Sequence, residues 1–172
     1  DGTFRPAASL TGYAFMKMLL GALGYDSEVE GYTGANWSIN VAKRAINLGL
    51  DDGLVDSFNG VKAVNREEAC LYAFNTLQAT MVEYTAKTSV TTNGTTVTIA
   101  GSDAKEVAQG TYESYKGLPE SKDNTLEFCE RYFKDLKLDE GSDDFGRPAN
   151  TWKNKKVEIG TYTNTSDLLE IY

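Results

Sequence analysis

The stretch Val64-Asn65-Arg66-Glu67-Glu68-Ala69-Cys70-Leu71-Tyr72-Ala73-Phe74-Asn75-Thr76-Leu77 carries a full set of helix-start signals. The Asn65 side chain can accept from the third helical amide while Glu68 reaches back to the Asn65 N–H. This is a capping box, and Ala69, Leu71, Tyr72, Phe74 and Leu77 continue it as a helix. Moved 54 residues toward the N-terminus, the same outline reappears, with Phe4 standing for Phe58, Leu10 for Val64, Thr11 for Asn65 and Ala14 for Glu68. Phe15 then stands for Ala69, Ala22 for Thr76 and Leu23 for Leu77. In both copies an aromatic residue precedes a short loop, an apolar residue precedes a capping one, and an apolar helix comes next. Such spacing predicts a repeated helical unit that buries its face against neighbours.

Working outward, Tyr13, Phe15, Met16, Met18, Leu19, Leu20 and Ala22 surround the first helix with apolar side chains, leaving Lys17 as its one charge. That pattern predicts a largely buried helix, capped by Thr11 and stopped by Gly24. A second helix is predicted over Ser38 to Leu48, with Ile39, Val41, Ala42, Ala45, Ile46 and Leu48 buried and Lys43, Arg44 and Asn47 solvated. Composition then shifts, with eight threonines between Thr80 and Thr98. Two β-rich runs, Ala86 to Val90 and Thr95 to Ile99, flank Asn93-Gly94 and predict a hairpin near 86–99. Asp103 to Lys116 shows roughly helical intervals broken at Gly110, and an amphipathic helix is predicted near 124–136. An acidic turn over Asp139 to Asp144 and a terminal strand near 156–162 complete an α+β reading. Its division is a helical repeat region over 1–83, then an α+β region over 84–172 holding the hairpin and a further helix.

Length and composition bound what such a chain can do. Its 172 residues are 41% hydrophobic, enough for a core, and the formal charge of -8 repels a phosphate backbone. Nucleic acid is therefore not an expected partner. The absence of histidine removes imidazole from any mechanism, including histidine zinc sites and Ser-His-Asp systems. Cys70 and Cys129 are too few for a structural zinc or an iron-sulfur cluster within one chain. They are expected as two buried free thiols, with a single disulfide as the alternative. No apolar run is long enough to span a bilayer, so membrane insertion is not expected. Neither a metal nor a cofactor is expected. The chain opens Asp1-Gly2-Thr3-Phe4 with no initiator Met or signal peptide, which reads as a processed product or an excised fragment.

The run Asp1-Gly2-Thr3-Phe4-Arg5-Pro6, then Leu10-Thr11 and the helix ending Ala22-Leu23-Gly24, resembles the second half of an S-layer homology repeat. The stretch from Trp37 to Ala69 resembles a complete repeat placed directly after it, through Trp37 with Val41, Ala42, Ala45 and Ile46, then Leu48-Gly49-Leu50, Phe58 and Asn65-Arg66-Glu67-Glu68-Ala69. The likeness covers about one and a half repeats in the first half of the chain. It implies an extracellular bacterial cell-wall or S-layer module that binds secondary cell-wall polysaccharide. By that likeness Asn65-Arg66-Glu67-Glu68 and Thr11-Gly12-Tyr13-Ala14 lie near saccharide grooves, and Trp37 takes the family's tryptophan position. Family members commonly carry an arginine directly after the helix-start threonine, where this chain has Gly12. The stretch Asp144-Phe145-Gly146-Arg147-Pro148-Ala149 with Trp152-Lys153 also resembles segments of large clostridial surface proteins.

The candidate carbohydrate-binding residues are thus Thr11, Trp37, Asn65, Arg66 and Glu67. Arginine offers a planar fork to an acidic sugar, and glutamate accepts from hydroxyls. Glu67 also sits where a helix N-terminus favours negative charge in any case. Trp37 can stack on a pyranose face or pack a helix into the core. Acidic pairs such as Asp51-Asp52, Glu67-Glu68 and Asp143-Asp144 raise a glycan hydrolase as a third reading, although such an enzyme needs carboxylates from facing elements. Asp139 to Asp144 lacks the spacing of an EF-hand calcium loop. A protein-protein assembly scaffold, with self-association through the incomplete repeat, is the main alternative to sugar binding.

Overall fold

A computed structural model of the chain describes residues 8–54, 56–84, 88–92, 95–99, 103–109 and 124–163. The described residues form an α+β structure of four helices and seven strands, the strands lying in three separate antiparallel sheets. They divide into two compact units, Asp1–Val107 and Ala108–Tyr172. This boundary falls later than the 83/84 division read from composition, because strand β1 (Val82–Glu83) pairs with β4 (Lys105–Glu106). The Val107 N–H then donates to the Met81 carbonyl at 2.9 Å, tying the intervening segment to the helical region. Lys105 and Glu106 are therefore strand residues where helical intervals were expected. The rest of that expected helix, 110–116, lies outside the described residues.

Helix α1 (Gly12–Ala22) starts as predicted, with Thr11 Oγ1 accepting from the Ala14 N–H at 3.3 Å. Only one stripe of it is buried, Gly12, Met16 and Leu20 leading to Leu23, while Met18 is 60% exposed. Helix α2 (Trp37–Asn47) likewise buries Val41 and Ala45 alone and leaves Ile39 at 65% and Ile46 at 49% exposure. Both expectations of a wider apolar face are corrected here. The hydrophobic count along a helix states how much surface could be covered, and the neighbours present decide how much is.

Helices α1 and α2 stop by the same device. Tyr25 and Gly24 donate to the Leu20 and Gly21 carbonyls at 3.0 and 3.1 Å, and Leu50 and Gly49 donate to the Ala45 and Ile46 carbonyls at 3.0 and 2.9 Å. Gly24 and Gly49 sit at φ +105° and +67°, conformations that cost little only without a Cβ. Tyr25 and Leu50, the residues next in the chain, turn back into the core.

Helix α3 (Arg66–Gln78) carries the predicted capping box, with the Glu68 N–H on Asn65 Oδ1 at 2.8 Å and the Asn65 N–H on Glu68 Oε2 at 2.9 Å. It buries Tyr72 and Thr76. Cys70 is exposed, which corrects the expected buried thiol: it lies two residues before Tyr72, on the far side of the helix. Both cysteines are free, and only Cys129 is buried. Strands β2 (Thr88–Thr92) and β3 (Thr95–Ile99) pair antiparallel with Thr92 opposite Thr95, two residues later in the first strand than predicted. The Asn93-Gly94 turn itself lies outside the described residues.

In the second unit, helix α4 (Phe128–Tyr132) is five residues long where 124–136 was expected. Thr125 is already committed to a bridge with Ala108, and Phe133 leaves helical geometry at φ -127° and ψ 69°. Strands β5 (Leu136–Ser142), β6 (Pro148–Asn154) and β7 (Val157–Thr163) form one sheet in that order. β5 runs through the expected acidic turn, and the real turn comes later. There the Asp143 carboxylate accepts from the Phe145 and Arg147 amides at 2.9 and 3.0 Å and from Arg147 Nε at 2.7 Å.

The β6–β7 connection is a two-residue turn between the paired residues Asn154 and Val157, made by Lys155 and Lys156 at φ 50° and 72°. Turns of this kind require positive φ at both centres and favour Asn-Gly, whereas side chains such as lysine are strained there. The double variant Lys155→Asn/Lys156→Gly is expected to raise stability by about 1–2 kcal/mol. Chemical denaturation followed by fluorescence in a Trp37→Phe background, where Trp152 is the remaining tryptophan, reads this directly. A lower midpoint would show that the turn is not strained as its dihedrals imply.

Candidate functional site at the helix starts

The first unit gathers its candidate residues at one end. The loop ahead of α3 crosses the first turn of α1, pairing Ala63 with Thr11 in a short antiparallel bridge. Three backbone bonds fix it: Gly12 N–H to Lys62 at 3.0 Å, Tyr13 N–H to Gly60 at 2.9 Å and Val64 N–H to Leu10 at 2.9 Å. The loop thereby satisfies two amides that every helix start leaves without an intrahelical partner. A Cβ on Gly12 would stand 2.9 Å from the Asn59 carbonyl oxygen, and one on Gly60 would run into the Tyr13 ring. Gly12 is thus the place where the covering loop meets the helix, which explains why an arginine cannot occupy it here. Arg66, its counterpart in α3, is exposed.

Aromatic rings link the same end together. Tyr13 meets Trp37 edge-on at 6.3 Å and Phe58 at 5.8 Å, while Phe58 meets Tyr72 at 6.0 Å. Trp37 is half-buried, with the Lys17 ammonium 5.5 Å from its ring centroid. Lys17 is itself held by the Tyr32 carbonyl at 2.7 Å. The sequence reading missed Lys17, although its spacing of four from Tyr13 places both on one helical face.

Thr11 and Asn65 spend their side-chain acceptors on capping, so they serve by fixing where the two helices begin. The Asn65 amide, followed by Lys62 at 3.2 Å, holds the Glu68 carboxyl below the ordinary carboxylate range. Arg66 and Glu67 are exposed and make no hydrogen bond or ion pair among the described residues. The structure therefore brings Thr11, Trp37 and the Asn65–Glu67 segment to one end of the unit through Tyr13 and the 58–64 loop.

The two helices start alike yet bury opposite faces, which corrects the expectation of a repeated unit: the likeness is confined to the helix starts. α1 buries Met16 and Leu20, whose counterparts at the same offset are the exposed Cys70 and the half-buried Phe74. α3 buries Tyr72, whose counterpart Met18 is exposed. α1 packs against both α2 and α3, so each helix turns its apolar stripe toward a different set of neighbours.

The chemistry of the described residues is otherwise quiet. No group of three or more acidic or cysteine side chains could hold a metal ion among them. Burial, reinforced by Glu127 and Glu130, pushes the Cys129 thiol up to about 12 and leaves it a poor nucleophile. Asp139 and Asp143, in the acidic stretch 139–144, pair with Lys153 at 2.6 Å and Arg147 at 2.7 Å. No described helix is long and apolar enough to cross a membrane. Comparison with protein-family models, curated proteins and solved structures finds no match to this chain.

Proposed function

We propose that the chain is a non-catalytic cell-surface module that holds its parent protein to secondary cell-wall polysaccharide outside the cell. The observation that carries this reading is the pair of matched helix starts, which leaves Arg66 and Glu67 exposed and unpaired among the described residues at the end occupied by the half-buried Trp37. A planar guanidinium, a hydroxyl-accepting carboxylate and an indole ring are what recognition of an acidic sugar needs. Among the described residues, the Glu68 and Asp143 carboxyls are both pulled down by hydrogen-bond donors, the opposite of what a glycosidase acid requires.

Titration calorimetry with purified wall polysaccharide tests the reading. Saturable binding is expected, weakened at least ~10-fold in Arg66→Ala, since a charge-assisted bond is worth about 1.5–3 kcal/mol. Equal binding by the variant, or none by the wild type, would reject it. The alternative reading, a protein-protein assembly scaffold, is favoured by one feature: Ile39 and Ile46 stand exposed seven residues apart on one side of α2. It predicts sedimentation that depends on concentration and is lost in Ile39→Lys/Ile46→Lys.

A further inference from the structure

The end of the second unit's sheet holds a groove of about 480 Å3 whose lining includes Tyr132, Phe133, Lys134, Asp135, Asn154 and Lys155. Tyr132, the last residue of α4, and Phe133, which caps it, are 52% and 48% exposed. Their rings are nonetheless held in place, with Phe128 4.7 Å from Tyr132 and 6.4 Å from Phe133, and Arg131 5.3 Å over Tyr132. Rigid, half-exposed rings cost little ordering entropy when a flat ligand settles on them.

Cations concentrate at this end, against the charge of the whole chain. Lys134, Lys155 and Lys156 are all exposed here, and the ion pair between Lys155 and Asp135 is loose at 3.7 Å, with 75% and 61% of the two side chains exposed. Lys137 stands directly across the sheet from Lys153, whose ammonium is taken up by Asp139 at 2.6 Å. Lys155 and Lys156 occupy strained turn positions where Asn-Gly would sit without strain. Strain retained at one place is a reason to look for a use of the side chains that cause it.

We propose that this groove binds an acidic sugar, a pyranose ring bearing a carboxylate or phosphate. The ring lies against Tyr132 and Phe133, the anionic group is met by the ammonium of Lys155 on the groove wall with Lys156 beside it in the turn, and Asp135 and Asn154 exchange hydrogen bonds with ring hydroxyls. A nucleic-acid strand fits less well, since Asp135 lines the groove and the chain as a whole carries -8. The site lies in a different unit from Arg66 and does not rest on the wall-attachment reading.

Calorimetry on the full chain with short oligogalacturonate and with phosphorylated oligomannose tests it, using a neutral maltooligosaccharide and an oligothymidylate as controls. One or both acidic sugars are expected to bind saturably, more weakly as salt rises, and the one that binds names the anionic group. Lys155→Asn/Lys156→Gly is expected to reduce affinity at least 10-fold while the protein melts higher than wild type, so that lost binding cannot be lost folding. Phe133→Ala should weaken binding by a similar factor, and every protein is compared in an Arg66→Ala background, so that heat from the site proposed in the first unit does not enter. Undiminished affinity in the double lysine variant, equal binding of the neutral glucan, or binding of oligothymidylate alone would each overturn the proposal.

Discussion

Replacing Gly24 by alanine is expected to destabilise the first unit by about 3–5 kcal/mol, a large fraction of the roughly 5–15 kcal/mol that an ordinary domain has in all. Two costs coincide at this position. The residue sits at φ +105°, where a Cβ crowds its own backbone, and the added Cβ would overlap the Val82 carbonyl oxygen. Neither neighbour can step aside cheaply. The Val82 N–H donates to the Leu23 carbonyl at 2.9 Å, and Val82 is also paired to Glu106, so the chain after α3 is pinned against the end of α1. Gly49 provides the control, because it ends α2 by the same hydrogen bonds at φ +67° but meets only the Asp52 carboxylate, the far end of a movable side chain. Gly49→Ala should therefore cost only about 1–2 kcal/mol. Urea unfolding followed by helical circular dichroism resolves the two, since α1, α2 and α3 all belong to the first unit. Equal losses in both variants would mean that the Val82 contact contributes nothing.

This comparison also marks how far the sequence could be read. Helix starts and stops were legible because their partners are close in the chain: Asn65 and Glu68 are three residues apart, and Gly24 and Gly49 bond within the last turn. The α+β class and the antiparallel hairpin were legible for the same reason. The burial of Met16 and Leu20 against the exposure of Met18 and Ile39 was not, because it depends on which neighbour lies where after a linker folds back. α4 failed as a prediction once Thr125 was taken by a long-range bridge to Ala108. The groove beside Tyr132 and Phe133 was invisible while 124–136 was read as one amphipathic helix, because its other wall comes from Asn154 and Lys155 in a distant turn. At the helix starts, Thr11 and Asn65 were found by their shared offset. Lys17 became part of the site only when the linker brought Trp37 beside it.

Raising the pH through 10 toward about 12 is expected to strip more stability from the first unit than lysine discharge over the same range would explain. Tyr25, Tyr32 and Tyr84 surround the Glu30–Arg44 ion pair, in which Arg44 Nη2 lies 2.8 Å from Glu30 Oε2 and Tyr84 Oη donates to Glu30 Oε1 at 2.7 Å. Burial, and then the Glu30 charge, push the Tyr32 hydroxyl up to about 12, although Arg44 pulls the other way. Burial and the bond to Glu30 raise Tyr84 as well, and burial raises Tyr25 against the pull of Arg44. Below the ordinary tyrosine value near 10 all three are protonated in both folded and unfolded chains, and their contribution is fully present. As pH rises further, the unfolded chain releases these protons first, so it binds fewer protons than the folded one and stability falls. Tyr32 alone accounts for about 2–3 kcal/mol of that loss, since each unit of displacement is worth about 1.4 kcal/mol. Its hydroxyl is buried with no hydrogen-bond partner of good geometry, so Tyr32→Phe should be neutral to stabilising by about 1 kcal/mol at pH 7 while flattening the alkaline decline. Tyr84→Phe should also flatten the decline but lose stability at pH 7, because it strips Glu30 of one donor. Denaturation midpoints of the three proteins measured across the alkaline range separate these effects. Parallel declines in wild type and Tyr32→Phe would place the alkaline sensitivity elsewhere in the chain.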